Sequence, residues 1–198
     1  MRLILASGSV YRRALLERLQ LPFDVISPDV DESPLPDETP DQLAQRLAQA
    51  KALKIARAHP EAIVIRSDQV AALGHFCLGK PGSHEQATKQ LQQLSGQKVV
   101  FHTALCVAQN TQFHTVNVLT TCHFRELSLA EIQSYLLREK PYDTAGSAKA
   151  ESLGIALMQS MQSDDPTAII GLPMIELCRL LRAFGINPLT APASLTHV

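Results

Sequence analysis

The sequence carries no surplus of either charge: 18 Lys and Arg stand against 19 Asp and Glu, a net charge of −1. Proteins that hold nucleic-acid polymers or anionic membranes need a strong basic excess, so neither partner is expected. Long hydrophobic runs are also missing. No stretch reaches the ~18 apolar residues of a transmembrane helix. The opening run Met1–Ala6 turns polar at Ser7 and doubly basic at Arg12-Arg13, short of the about 7–15 apolar residues of a signal peptide. Cysteine is sparse and scattered (Cys77, Cys106, Cys122, Cys178), with no C-x-x-C pair. That excludes a disulfide scaffold and points to a soluble cytoplasmic protein with reduced thiols. His75, His84, His102 and His114 invite a metal reading, but none stands at i,i+4 from another and no Cys joins them at zinc spacing. The glycine patterns of Rossmann and Walker sites and the G-x-S-x-G of serine hydrolases are absent.

What is present is enough apolar residue for a sizeable core. The chain has 198 residues, 45% of them hydrophobic and 19% charged, which predicts one domain. It is expected over residues 1–189, with a loose tail over 190–198. A β run over 2–6 breaks at Ser7-Gly8-Ser9, and Leu15, Leu16 and Leu19 give a helical face over 10–19. Phe23–Ile26 is read as a second strand, followed by a proline-rich acidic loop over 27–40. Thr39-Pro40-Asp41-Gln42 is a capping-box helix start, and that helix is expected to run to Ala58. Ala62–Ile65 is a buried-strand run ending at Ser67-Asp68, with a loop through Gly79-Lys80-Pro81-Gly82. Ser83 opens a helix that closes at Ser95-Gly96. Val99–Ala108 and Phe113–Phe124 form a long hairpin turning at Gln109–Gln112. Ser128-Leu129-Ala130-Glu131 opens another helix, Ile155–Met158 is a strand candidate, and Pro173 opens a last helix ending before Gly185. The order predicts an α/β fold: a mixed sheet with flanking helices and a long antiparallel hairpin.

Three features point to chemistry. The strand-to-helix turn at Ser7-Gly8-Ser9 offers helix N–H groups to an anion. Arg12 and Arg13 follow in or near the first turn, where cations oppose the helix dipole by about 0.3–1 kcal/mol each. That placement favours an external polyanion, and arginine suits bidentate phosphate binding; solvated surface residues are the bland alternative, as is an Arg13 pair with Glu17. Asp68 ends a buried strand, and Asp29, Asp31 and Glu32 sit in a loop after another. Such acids hold a hard divalent ion that bridges to phosphates, or are simply solvated.

Leu5-Ala6-Ser7-Gly8-Ser9-Val10-Tyr11-Arg12-Arg13-Ala14-Leu15-Leu16 resembles the opening motif of the Maf-like nucleotide pyrophosphatases. Val30-Asp31-Glu32, Lys51-Ala52, Ser67-Asp68-Gln69-Val70, Gly79-Lys80-Pro81, Leu94-Ser95-Gly96, Ala145-Gly146-Ser147 and Gly171-Leu172-Pro173 follow in the family's order. The resemblance covers the chain to about Leu189. It implies hydrolysis of a nucleoside triphosphate to the monophosphate and pyrophosphate with a divalent metal cation (Mg²⁺ or Mn²⁺), in a cleft between two lobes. It further implies Asp68 as proton acceptor, Ser7, Ser9, Arg12, Arg13, Lys51 and Lys80 around the triphosphate, and Glu32 with Asp68 at the metal. Tyr11, Gln69 and Glu151 match the positions where the family's 7-methyl-GTP branch carries an aromatic residue, Gln and Glu. Guanine offers N–H donors that an acceptor such as Glu151 fits, and a cationic methylated base favours an aromatic face. The sequence departs from the family pattern at Val10 (usually proline), Tyr11 (usually tryptophan in that branch), Gly74-His75-Phe76-Cys77 (usually an acidic hairpin) and Arg66 (usually glycine). Arg66 either crowds the site or points away. If it crowds, the chain is a nucleotide-binding regulator; a sugar-phosphate nucleotidyltransferase is the rival enzyme. Apolar helix faces leave room for a homodimer.

Overall fold

A computed structural model describes residues 2–191. Met1 and residues 192–198, most of the expected tail, lie outside the described residues.

The apolar run at the start forms β1 (Arg2–Leu5), which pairs in parallel with β2 (Asp24–Val25) on one side and β3 (Ala62–Leu73) on the other. Parallel neighbours need crossovers, supplied by α1 (Val10–Glu17) and α2 (Pro40–Ala58). β4 (Phe76–Leu78) folds back on β3, and α3 (His84–Leu94) leads to the long hairpin of β5 (Lys98–Gln109) and β6 (Gln112–Phe124). α4 (Leu129–Glu139), β7 (Met158–Ser163) and α5 (Met174–Ala183) complete the chain. The sheet order is β2-β1-β3-β5-β6-β7, with β4 beside β3; every pairing beyond β3 is antiparallel.

Strand alternation sorts the core into layers. Leu3, Leu5, Ile63, Ile65, Leu105 and Val107 face α1 and α5. Their neighbours Ile4, Ala62, Val64, Ala104 and Cys106 face α2. Both faces are covered, so the strands read as continuous apolar runs, and each fully buried Leu or Ile contributes about 1.5–3 kcal/mol. The far half of the sheet packs α3 and α4 through Leu91, Leu94, Phe101, Phe124, Ile132 and Leu136. Two lobes result, one around β1 and one around the far ends of β3, β5 and β6.

The capping signals at Thr39/Gln42 and Ser128/Glu131 form as complete capping boxes. Several boundaries differ from expectation. The second strand shrinks from Phe23–Ile26 to Asp24–Val25. α1 closes at Glu17, short of residue 19, and Gln20 takes a positive φ of 55°. The supposed strand at Ile155–Met158 is a 3₁₀ turn over Leu153–Leu157, and the strand starts at Met158. Its sequence, Met-Gln-Ser-Met-Gln-Ser, has no β-branched residue, so an edge strand held by β6 carried no local signal. β3 does not stop at Asp68 but runs to Leu73, because β5 pairs with it as far as Ala72. Asp68 therefore sits inside a strand.

Candidate active site

A gap in the sheet makes the site. One edge of β3 is paired with β5 along residues 64–72. On the other edge β1 pairs with residues 62–65 and β4 with 71–73. Among the described residues no strand covers that edge from Arg66 to Val70. The turn after β1 and the segment after β4 border the opening, and a cavity of about 550 Å³ occupies it. Its lining includes Ser7 to Arg12, Glu32, Lys51, Arg66, Asp68, Gln69 and Lys80, faced by residues of the 143–151 and 169–171 segments. That volume accommodates a small-molecule ligand. A second hollow of about 690 Å³ lies between the 35–38 loop and α2; it holds the Arg46–Glu38 ion pair and no comparable convergence of polar groups.

At the first turn, hydroxyls shape the backbone. Ser9 caps α1, its Oγ accepting from the Arg12 N–H at 3.4 Å. Buried Ser7 accepts from the Ser9 N–H at 3.2 Å. Arg12 reaches from α1 to the far wall, its Nε donating to the Gly171 carbonyl at 2.9 Å. Gly171 has φ +116°, a backbone conformation that side chains rarely adopt, so glycine serves the turn; a Cβ there would meet Arg12 Nε at 3.4 Å, an ordinary contact. Enclosure first, and the charge of Arg66 second, push the Arg12 guanidinium down to about 10. It remains a cation at neutral pH.

Asp68 is the centre of a charge cluster. Residues 66 and 68 share the strand face that looks at α2. Arg66 therefore lies alongside, donating from Nε to Oδ2 and from Nη2 to Oδ1, both at 2.8 Å, and from Nη1 to the Ala6 carbonyl at 2.9 Å. Lys51, its side chain 2% exposed, bridges Asp68 Oδ1 at 2.8 Å and Glu32 Oε1 at 2.7 Å. Burial would raise the Asp68 carboxyl. The Arg66 hydrogen bonds and charge, helped by Lys51 and Arg12, reverse this and hold it below the ordinary carboxylate range.

The donor set does not suit a resident divalent ion. Asp68 and Glu32, the two carboxylates expected to hold one, meet on a lysine, and Asp68 is already clamped by an arginine. Among the described residues no group of three or more His, Cys, Asp or Glu is placed to hold a metal. Magnesium is commonly held by one or two carboxylates together with substrate phosphates, which leaves an ion brought in on a ligand as the case compatible with these residues.

The lining of the cavity also offers acceptors. Gln69, on the opposite strand face, donates from Nε2 to Thr103 Oγ1, Ala168 O and Ile169 O at 3.0–3.1 Å. Carbonyls only accept, so the amide is fixed this way round and Oε1 is its remaining polar atom. Glu151 lines the same cavity; partial burial raises its carboxyl, and Glu139 and Asp143 push the same way. Tyr11 stands 37% exposed on the first turn of α1, within the lining.

The structure thus gathers Ser7, Ser9, Tyr11, Arg12, Glu32, Lys51, Asp68, Gln69, Lys80 and Glu151 around one cavity. Arg13 is outside that lining: its Nε donates to Glu17 Oε1 at 2.9 Å on the exposed face of α1. Adjacent helix residues point about 100° apart, so Arg12 and Arg13 do not both face the cavity. Two parts of the site are not assigned by local sequence. Arg66 is a direct partner of Asp68, and the turn at 168–171 walls the cavity, signalled beforehand only by Gly171-Leu172-Pro173.

Comparison with known proteins places this chain in a family. The model of the Maf-like protein family matches residues 2–184. The chain is 59% identical over 192 residues to a 7-methyl-GTP pyrophosphatase of Bordetella avium, covering 97% of this chain and 98% of the relative. It is 54% identical over 198 residues to a 7-methyl-GTP pyrophosphatase of Burkholderia thailandensis, covering 98% and 92%. Among solved structures, a HAM1 protein from Coxiella burnetii aligns over 92% of this chain and 99% of its own, with a TM-score of 0.52 at 15% identity, a likeness of fold. The chain belongs to the Maf-like protein family.

Proposed function

We propose that the protein is a nucleoside triphosphate pyrophosphatase that hydrolyses 7-methyl-GTP to 7-methyl-GMP and pyrophosphate, a cytoplasmic house-cleaning activity. The observation that carries the reading is the single cavity in which a clamped carboxylate, a cluster of cations and a pair of acceptors converge. The names of the relatives supply the nucleotide.

In this reading the triphosphate lies at the start of α1. The helix N–H groups, Arg12, Lys51 and Lys80 neutralise it, as phosphoryl transfer requires. Water attacks the α-phosphorus, the bond to the bridging oxygen breaks, and pyrophosphate leaves. Asp68 holds that water. Each carboxylate oxygen accepts about two hydrogen bonds. Oδ1 already accepts from Arg66 and Lys51, whereas Oδ2 accepts from Arg66 alone. Oδ2 therefore has the vacant acceptor position. A carboxylate held this acidic is a weak base, so its contribution is chiefly orientation. The guanine base lies against Tyr11, with Gln69 Oε1 and Glu151 accepting its N1–H and 2-amino hydrogens. The positive charge of the 7-methylated ring adds a cation–π attraction of about 0.5–2 kcal/mol.

The test is pyrophosphate release from a panel of 7-methyl-GTP, GTP, dTTP, UTP and CTP with Mg²⁺ or Mn²⁺. Fastest release from 7-methyl-GTP is expected, and Asp68→Asn should slow it by about 10²-fold, the cost of a misplaced water, while nucleotide still binds. No release from any nucleotide would overturn the enzyme reading. Release from dTTP or UTP but not from 7-methyl-GTP would overturn the base assignment alone.

A further inference from the structure

The cluster at Asp68 has a charge arrangement that nucleotide hydrolysis does not by itself require. Three cations (Arg12, Lys51, Arg66) surround the Asp68 carboxylate, and all three hold its proton affinity down. Only Arg66 takes both of its oxygens, as a planar fork. The guanidinium is itself anchored: 8% exposed, tied to the Ala6 carbonyl, and two residues from Asp68 on one strand face. It is a fixed part of the wall rather than a side chain that visits. An arginine does not lose its proton in a protein, so this positive charge is permanent.

A divalent ion at Asp68 would have to share Oδ2, which keeps one acceptor position beside its Arg66 bond, and would sit within a few ångströms of the Arg66 and Lys51 cations. Glu32 supplies no second ligand free of that charge, since its Oε1 is paired with the same Lys51 and the rest of its side chain is exposed. We propose that Arg66 takes the place at Asp68 that a divalent cation would otherwise occupy, so that the nucleotide-free protein takes up no divalent ion there and such an ion enters only as counter-ion of the bound triphosphate. The inference rests on the reading of this cavity as a triphosphate site, but its central claim concerns the protein before nucleotide arrives.

Titration of the nucleotide-free protein with Mn²⁺, followed by loss of the free-ion electron paramagnetic resonance signal, tests it. Wild type should leave the signal undiminished. Arg66→Met, which keeps the side-chain volume and removes the charge, should bind one ion per chain. Its Kd should be at least about tenfold lower than any wild-type value, as expected for removing a like charge a few ångströms away. Adding Asp68→Asn to Arg66→Met should abolish the gained binding. Arg66→Gln, which keeps a hydrogen-bond donor for Asp68, is the second variant if Arg66→Met does not melt as a folded protein. Wild-type binding of Mn²⁺ that is lost in Asp68→Asn would overturn the proposal. So would a folded Arg66→Met or Arg66→Gln protein that binds no more Mn²⁺ than wild type. Because no nucleotide is present, these results are separable from the pyrophosphate-release panel: either can fail while the other stands.

Discussion

Arg66 and Asp68 are 8% and 7% exposed and joined by two hydrogen bonds of 2.8 Å, so replacing one partner strands the other. Asp68→Asn leaves the guanidinium with an amide oxygen and the Ala6 carbonyl, while Lys51 keeps Glu32. The cost therefore falls on Arg66. Charge centres about 4 Å apart attract by about 4 kcal/mol at an effective dielectric of 20. Stranding one partner of a buried pair costs about 3–5 kcal/mol, and the lower value, about 3 kcal/mol, applies because the amide still accepts a bond. With a urea m-value of about 2 kcal/mol/M, the denaturation midpoint should fall by about 1.5 M. Arg66→Met leaves Asp68 with Lys51 and should cost less, about 1–2 kcal/mol. In the double variant neither ion is stranded, so its cost should fall short of the summed single costs by about 2 kcal/mol. Equilibrium urea unfolding of the four proteins without nucleotide measures this cycle. Single costs that add to within about 0.5 kcal/mol would refute the pair as an energetic unit.

The two arginines of the opening motif should separate kinetically. Arg12→Ala should raise KM by about tenfold or more, since hydrogen bonds to charged groups contribute about 1.5–3 kcal/mol. Arg13→Ala should leave KM within about twofold, its exposed pair with Glu17 contributing about 0.3–0.5 kcal/mol; equal effects would contradict their placement. Glu151, its carboxyl raised by burial, protonates at higher pH than an ordinary glutamate, and the neutral acid presents a donor. KM for a guanine nucleotide should therefore climb as pH falls through that raised value. Glu151→Gln should flatten this limb and weaken guanine preference; superimposable profiles would show that Glu151 does not meet the base. On the far lobe, Glu131 completes the α4 capping box, and hydrogen bonds from the Ser128 backbone and hydroxyl, then from Arg125, push its carboxyl down to about 2. A depressed folded value means stability present above the ordinary 4.5 and lost as pH falls from there towards about 2. Glu131→Gln should remove that part of the acid limb in thermal melts, and Ser128→Ala should cost about 1 kcal/mol at neutral pH.

What was legible in the sequence is what local chemistry decides. Thr39-Pro40-Asp41-Gln42 and Ser128-Leu129-Ala130-Glu131 satisfy helix N–H groups within four residues, so they are read without knowing the fold, and both form as read. The long hairpin is similarly local, turning around Asn110 with φ 53°. The misreadings arise where a distant partner decides. β7 exists because β6 holds it, and β3 runs past Asp68 because β5 pairs with it to Ala72.

That second misreading conceals the role of Arg66. With the strand ended before Asp68, Arg66 is only an isolated charge in an apolar run, free to crowd the site or point away. With the strand carried through residue 68, a period of two places the side chains of residues 66 and 68 side by side on one face. An arginine there meets an aspartate whatever else the site contains, and a buried charge requires a partner. Ala62 and Val64 on the same face pack against α2, whose Lys51 then comes within 2.8 Å of Asp68. The charge cluster is thus a consequence of strand register, and the residue that looked most disruptive is the one that register commits to the carboxylate.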